Sequence, residues 1–186
     1  MNKTIILLVG KSGTGKTTIA ERCEELYGLR QIQSYTTRPR RTPDETGHIF
    51  ASERMFHSLK DLVAYTKFNG YEYCATAQQV EENDIYVIDP KGVEYFREHY
   101  HGSKQPVIVY IIVSKDDFKD FSSRYERMKK RGNTIDEAIE RVVFDNREFA
   151  GFEEKADYVF GNEEPEDVDR IAESICRIIQ TGGVDE

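Results

Sequence analysis

The sequence predicts an α/β fold, a doubly wound parallel sheet, on three observations. The apolar run Thr4-Ile5-Ile6-Leu7-Leu8-Val9 leads directly into Gly10-Lys11-Ser12-Gly13-Thr14-Gly15-Lys16-Thr17, and a helical pattern follows. Val107 to Val113 is an unbroken β-branched and aromatic run, as in a central parallel strand covered on both faces. Strand patterns then alternate with helical ones along the chain, which places helical crossovers on the faces of one sheet.

Gly-x4-Gly-Lys-Thr between a strand and a helix is the pattern of a P-loop. Its glycines let backbone N–H groups point inward, and the helix opening near Lys16 adds the positive end of its dipole, so phosphate oxygens are cradled without side-chain bulk. Gly10, Ser12, Gly13, Thr14, Gly15, Lys16, Thr17 and Thr18 are the candidate phosphate-binding set. Lys16 would span the β- and γ-phosphates of ATP. The Thr17 hydroxyl is the candidate Mg²⁺ ligand, because Mg²⁺ prefers oxygen and keeps most of its water. A glycine-rich turn that merely joins strand to helix is the competing reading, and the flanking strand and helix weigh against it.

With 186 residues, 38% hydrophobic and 32% charged, the chain fits one soluble domain carrying a smaller inserted lobe. A net charge of −8 argues against a surface for nonspecific nucleic-acid binding while leaving room for a local basic pocket. Cys23, Cys74 and Cys176 have no CxxC spacing, so reduced thiols in a cytoplasmic protein are expected, with neither disulfide framework nor zinc site. The N-terminal apolar run is too short for a signal sequence or a membrane span, and no membrane partner is expected.

Taken in order, Ile19, Ala20, Cys23 and Leu26 recur at helical spacing up to Gly28, a helix stop. Residues 29–34 alternate weakly and suggest a second short strand. Residues 34–47 carry two prolines and three arginines without a core-forming period, which predicts a basic loop. Residues 53–62 suggest a short helix around Met55, Phe56 and Leu59. Val63 to Tyr73 reads as strands, with Asn69-Gly70 at a hairpin turn and Glu72 toward solvent. Asp84 to Asp89 is a buried strand, Pro90 and Gly92 turn the chain, and Val93, Tyr95 and Phe96 begin a helix.

Lys115 to Arg131 reads as helix, with Arg124, Arg127 and Arg131 on one side. Gly132-Asn133 breaks it. Thr134-Ile135-Asp136-Glu137 is a capping box for a helix through Val142 toward Phe149, carrying Arg141. Ala156 to Phe160 is a last short strand. Val168, Ile171, Ala172, Ile175, Cys176 and Ile179 mark a final helix that Gly182-Gly183 ends.

Two basic groups stand apart in sequence, Arg38/Arg40/Arg41 and Arg124/Arg127/Arg131/Arg141. Guanidinium forks bind phosphate oxygens bidentately, so one group per phosphate cluster is the economical assignment. A solvated face paired with Glu126, Glu137 and Glu140 is the alternative for the helical arginines. For the loop that alternative is weaker, because crowded arginines repel unless an anion is present.

Gly10–Thr17, Ser34-Tyr35-Thr36-Thr37-Arg38-Pro39-Arg40-Arg41 with Asp44 and Gly47, Asn69–Tyr73, Ile88–Val93 and the Arg131–Arg141 segment together resemble the guanylate kinase family, in that family's order and over nearly the whole chain. The Thr-Thr-Arg loop is the most specific part. The resemblance implies a P-loop core (1–34, 84–123 and 142–186), an acceptor-binding lobe (35–83) and a helical lid (124–141). By position, Arg38, Arg41 and Tyr73 resemble the acceptor-phosphate grip, and Asp44 stands where the family commonly has glutamate. Ser34 and Asp89 resemble base-contacting positions. Arg127, Arg131 and Arg141 resemble lid and transition-state arginines, which with Lys16 make the candidate catalytic set.

Departures fall where the family reads guanine. Ala64 replaces a glutamate, Ala75 stands at a hydroxyl position behind Cys74, Val87 replaces an aspartate, and the family's phosphate-binding tyrosine maps to either His48 or Phe50. Losing a carboxylate with two charge-assisted hydrogen bonds forfeits roughly 3 kcal/mol, about two orders of magnitude in discrimination. The resemblance implies phosphoryl transfer from ATP·Mg²⁺ to GMP or a related nucleoside monophosphate, by a monomer or homodimer. Another phosphorylated acceptor, such as a different nucleoside monophosphate or ribose bisphosphate, is the second enzyme reading. A noncatalytic phosphopeptide-binding module is the third, disfavoured by the intact Gly15-Lys16-Thr17.

Overall fold

The computed structural model describes residues 3–40, 42–68 and 70–183. In chain order the first elements are β1 (Thr4–Gly10), α1 (Lys16–Tyr27), β2 (Ser34–Thr36), β3 (His48–Phe50) and α2 (Glu53–Phe56). Then come β4 (Leu62–Phe68), β5 (Tyr71–Thr76), α3 (Ala77–Glu82), β6 (Ile85–Val87), α4 (Pro90–His99) and β7 (Gln105–Ile112). The chain ends with α5 (Asp117–Lys130), α6 (Ile135–Glu148), a 3₁₀ turn (Phe152–Lys155), β8 (Tyr158–Gly161) and α7 (Asp167–Thr181).

Two four-stranded sheets organise these elements. The first is parallel, in the order β6-β1-β7-β8, and the second is mixed, in the order β3-β2-β5-β4. All of β1 is buried, which explains its unbroken apolar run: alternate side chains enter two different cores. Ile5, Leu7 and Val9 pack with Ile108, Tyr110, Val93, Phe96 and Phe152. Ile6 and Leu8 pack with Ile19, Cys23, Val109, Ile171 and Ile175, so α1 and α7 cover that face. Val63, Ala64, Ala75 and Val80 of the second sheet and α3 join the first core, which ties the mixed sheet to the parallel one.

Several elements depart from the sequence expectation. The strand expected over 29–34 reduces to a single bridge, Gln31 to Ile85, and Ser34–Thr36 belongs to the mixed sheet, paired with β3 and β5. The helix expected over 53–62 stops after one turn. Only Phe56 in it is buried, i→i+3 bonds tighten Ser58 and Leu59, and Asp61 at φ 53° redirects the chain into β4. Pro90 and Gly92 do not turn the chain but open α4, with Pro90 in its first turn and Asp89 as its cap. The helix α3 had no periodic signal of its own, being six residues long, although its Thr76/Gln79 capping box is present in the sequence. Gly70 has the positive φ of a hairpin turn, 81°, while Asn69 lies outside the described residues. Glu72, expected toward solvent, accepts from the Tyr65 hydroxyl at 2.7 Å and pairs with His57 at 2.9 Å. Cys23, Cys74 and Cys176 are free and buried, and among the described residues no helix is long and apolar enough to cross a membrane.

Candidate functional site

The end of β1 passes through residues 11–14 into α1 with Gly15 as its cap, at φ 92° and without a side-chain cap. The first intrahelical bond runs from Ile19 N–H to the Gly15 carbonyl at 3.0 Å. The N–H groups of Lys16, Thr17 and Thr18 therefore have no intrahelical acceptor, and the dipole end they form is uncapped. Glycine is required at two places here. A Cβ on Gly13, at φ 83°, would lie 2.9 Å from the Arg124 carbonyl oxygen, and one on Gly15 would run into the Asn162 amide. Thr14 is buried, and its hydroxyl donates to the Lys11 carbonyl at 2.8 Å, fixing the loop's curl.

Lys16 folds back over the loop, its ammonium donating to the Gly10 and Lys11 carbonyls at 2.6 and 3.0 Å. Burial pulls its pKa down to about 8; Asp145 opposes that shift, while Arg141, Arg124 and Arg131 add to it. Arginines from the α5–α6 pair reach the same loop. Arg127 donates to the Gly13 carbonyl at 3.3 Å and to the Asn162 and Glu163 carbonyls at 2.9 Å. Its burial, with Arg131 next in weight, lowers its pKa. Arg141 Nε donates to the Ser12 hydroxyl at 2.7 Å. Arg131 is exposed at the end of α5, where Gly15, Thr18, Arg127 and Asn162 share a cavity of about 220 Å³ with it. A larger cavity of about 670 Å³ borders Lys11 and Thr14 and takes in Asp117, Asp120, Asn146 and Glu153.

The sequence did not single out Asn162, Asp120 or Asp145, yet all three hold the loop. Asn162 is buried and its amide donates to the Thr14 carbonyl at 2.7 Å. Asp145 accepts the Ser12 N–H at 2.5 Å, and Asp120 pairs with Arg124 at 2.8 Å. Arg124, read from the sequence as sharing one side of its helix with Arg127 and Arg131, is fully buried. Its i,i+4 spacing from Asp120 was the one readable signal; nothing local marks contacts that span more than a hundred residues.

On the mixed sheet the structure gathers Arg38, His48, Phe50 and Tyr73. The His48 ring meets the Tyr73 ring edge-on at 5.6 Å and Phe50 at 6.1 Å, and the Arg38 guanidinium lies 5.3 Å from the Phe50 ring centre. Arg38 is 8% exposed and forks onto Glu45 at 2.7 and 3.1 Å, which together with Tyr73 raises its pKa. Arg38 Nε is buried with no hydrogen-bond partner among the described residues. Asp44, expected at this site, is exposed, and its neighbour Glu45 takes the inward place. Arg41 lies outside the described residues.

Ser34 is buried and hydrogen-bonded to Tyr86, and Asp89 accepts the Gly92 N–H at 2.7 Å as the α4 cap, so both base-contacting candidates have internal partners. Ala64 and Ala75 are 2% and 0% exposed inside the first core. Thr17 is exposed in the first turn of α1. Among the described residues no three His, Cys, Asp or Glu side chains converge as a metal site. A cation at Thr17 would thus take one hydroxyl oxygen from the chain and the rest from phosphates and water, which suits Mg²⁺.

No family model matches the chain, and no curated protein matches it. Among solved structures it is similar to guanylate kinase from Anaplasma phagocytophilum, at 21% identity and a TM-score of 0.59, over 100% of this chain and 90% of that one. It is also aligned with shikimate kinase from Bacteroides thetaiotaomicron, at 13% identity and a TM-score of 0.47, over 95% and 98% of the two chains. The first match shows that this chain has the fold of a guanylate kinase.

Proposed function

We propose that the protein is a phosphotransferase that moves the γ-phosphoryl group of ATP to a small phosphorylated acceptor, with GMP or a related nucleoside monophosphate as the leading candidate. One observation carries this reading: the uncapped amides of α1, the Lys16 ammonium and the guanidinium groups of Arg127 and Arg141 all converge on one loop. Arg38, with its unused buried Nε, offers a second anion-binding group on the mixed sheet.

In this mechanism the loop amides and Lys16 hold the donor phosphates, and Arg127, Arg131 and Arg141 offset charge as the phosphoryl group transfers. Mg²⁺ held by Thr17 would neutralise charge on the β- and γ-oxygens. An acceptor phosphate needs no general base, so positioning in line and exclusion of water do the remaining work. The segments 35–83 and 124–141 would close over the two substrates as acceptor lobe and lid.

A second reading concerns the acceptor alone. Ala64 and Ala75 sit in an apolar core at positions where the guanylate kinase family reads guanine, which favours an acceptor without that base. A coupled ADP-release assay across GMP, dGMP, the other nucleoside monophosphates and sugar phosphates separates the two. Turnover of GMP alone supports the leading reading, and turnover of another phosphorylated acceptor supports the second. Silence on all of them, with tight phosphopeptide binding, sinks both in favour of a noncatalytic module.

A further inference from the structure

Every polar group of Ser12 is held by a side chain from the α5–α6 pair. Its N–H donates to Asp145 Oδ2 at 2.5 Å, its carbonyl accepts from Arg124 Nε at 2.8 Å, and its hydroxyl accepts from Arg141 Nε at 2.7 Å. Asp145 is the hub. At 1% exposed it also meets Arg124 Nη2 at 3.3 Å and Arg141 Nε at 3.4 Å. A buried ion pair adds little net stability compared with well-packed apolar side chains, so stability alone is a poor account of this cluster. Geometry is a better one: a single carboxylate ties the peptide of the phosphate loop to an arginine that reaches the same loop.

We infer that Asp145 is a positioning residue, setting the Ser12 peptide and the Arg141 guanidinium relative to each other before phosphate arrives. The amides of Lys16, Thr17 and Thr18 stay outside this cluster, so the clamp can persist while the helix end receives an anion. The inference rests on the phosphotransferase reading for its turnover measurement only.

The test uses the full chain as native protein, Asp145→Leu, which removes the hub at similar size, and Asp145→Asn, which can still accept the Ser12 N–H. For Asp145→Leu we expect kcat to fall roughly a hundredfold, the cost of a misplaced catalytic group, with acceptor KM within about threefold. Asp145→Asn should recover most of that loss. Amide exchange at 12–14 should speed up in the Leu variant and stay slow in the Asn variant, while exchange across α7 is unchanged in both. If Asp145→Leu does not fold, the charge-balanced Arg124→Met/Asp145→Leu variant takes its place with the same expectation.

Undiminished kcat with unchanged exchange at 12–14 would overturn the inference. So would ADP binding at least about tenfold tighter in both variants, which would make Asp145 a competitor for the phosphate seat. If the native protein transfers phosphate to no acceptor, the proposed function fails by itself, and the exchange and ADP titrations still decide the role of Asp145.

Discussion

Arg38 and Glu45 should respond to substitution in opposite directions. The Glu45 carboxylate takes both terminal nitrogens of the Arg38 fork, at 2.7 and 3.1 Å, so an acceptor phosphate bound there, as proposed, would have to share or displace it. Arg38→Lys keeps the charge but loses the fork and the Nε–H, at least one charge-assisted hydrogen bond worth about 1.5–3 kcal/mol. The kcat/KM for acceptor should then fall roughly ten- to hundredfold, with KM for ATP little changed. Glu45→Gln removes the competing charge while keeping the shape, and acceptor KM should fall by up to about tenfold if half or more of one such bond is released. Steady-state ADP release, titrating the acceptor at saturating ATP, reads both. The reasoning is refuted if Arg38→Lys leaves acceptor KM and kcat/KM intact, or if Glu45→Gln weakens the acceptor as much as Arg38→Lys does.

Lys16 has a pKa lowered to about 8 in the free protein, and under the proposed function phosphate would bind its protonated form. Above pH 8 the free protein loses that proton and must regain it on binding, so the Kd for ATP should climb toward about tenfold per pH unit, measured by calorimetry; Lys16→Arg should flatten the climb. The same lowered value means that the folded state binds fewer protons than the unfolded one between about 8 and 10.5, so Lys16 destabilises the fold least at the alkaline end. Gly15→Ala forces an L side chain to φ 92° and against Asn162. The strain of about 1–2 kcal/mol should lower Tm by roughly 2–8 °C and abolish the ADP-induced rise in Tm. Phe96→Ala, in the core that α4 shares with both sheets, should cost about 3–5 kcal/mol in urea unfolding without changing the urea m-value.

What could be read from the sequence depended on length and locality. The parallel sheet, α1 with its glycine stop, α6 with its capping box and the strongly amphipathic α7 all repeat a signal over many residues, and each stands where its pattern put it. Short elements gave too little repetition to sort. Three residues of β2 could not reveal which sheet would take them, and α3 was hidden behind a strand with only its cap to announce it. The candidate phosphate loop was legible because its pattern lies within eight consecutive residues. Its outer support was not: Asp145 and Asn162 reach Ser12 and Thr14 across 133 and 148 positions, and only folding brings them there.

The basic loop shows why crowded charge is a weak sign of a ligand and an orphan donor a stronger one. From the sequence, the arginines at 38, 40 and 41 argued for an external anion, since like charges repel. For Arg38 and Arg40 the fold already answers that repulsion within the chain. Arg38 forks onto the Glu45 carboxylate, Arg40 donates to the Glu45 carbonyl, and both guanidinium groups lie against the Phe50 ring, at 5.3 and 4.3 Å. A chain with net charge −8 can supply such internal counterions readily. What the internal partners leave unanswered is Arg38 Nε, desolvated without a hydrogen bond among the described residues, a state that costs about 1–3 kcal/mol for a buried donor and more for a charged one. An incoming phosphate oxygen would recover that loss, so the proposed affinity for an anion draws on this unmet donor, beside any share of the fork won from Glu45, more than on the number of arginines around it.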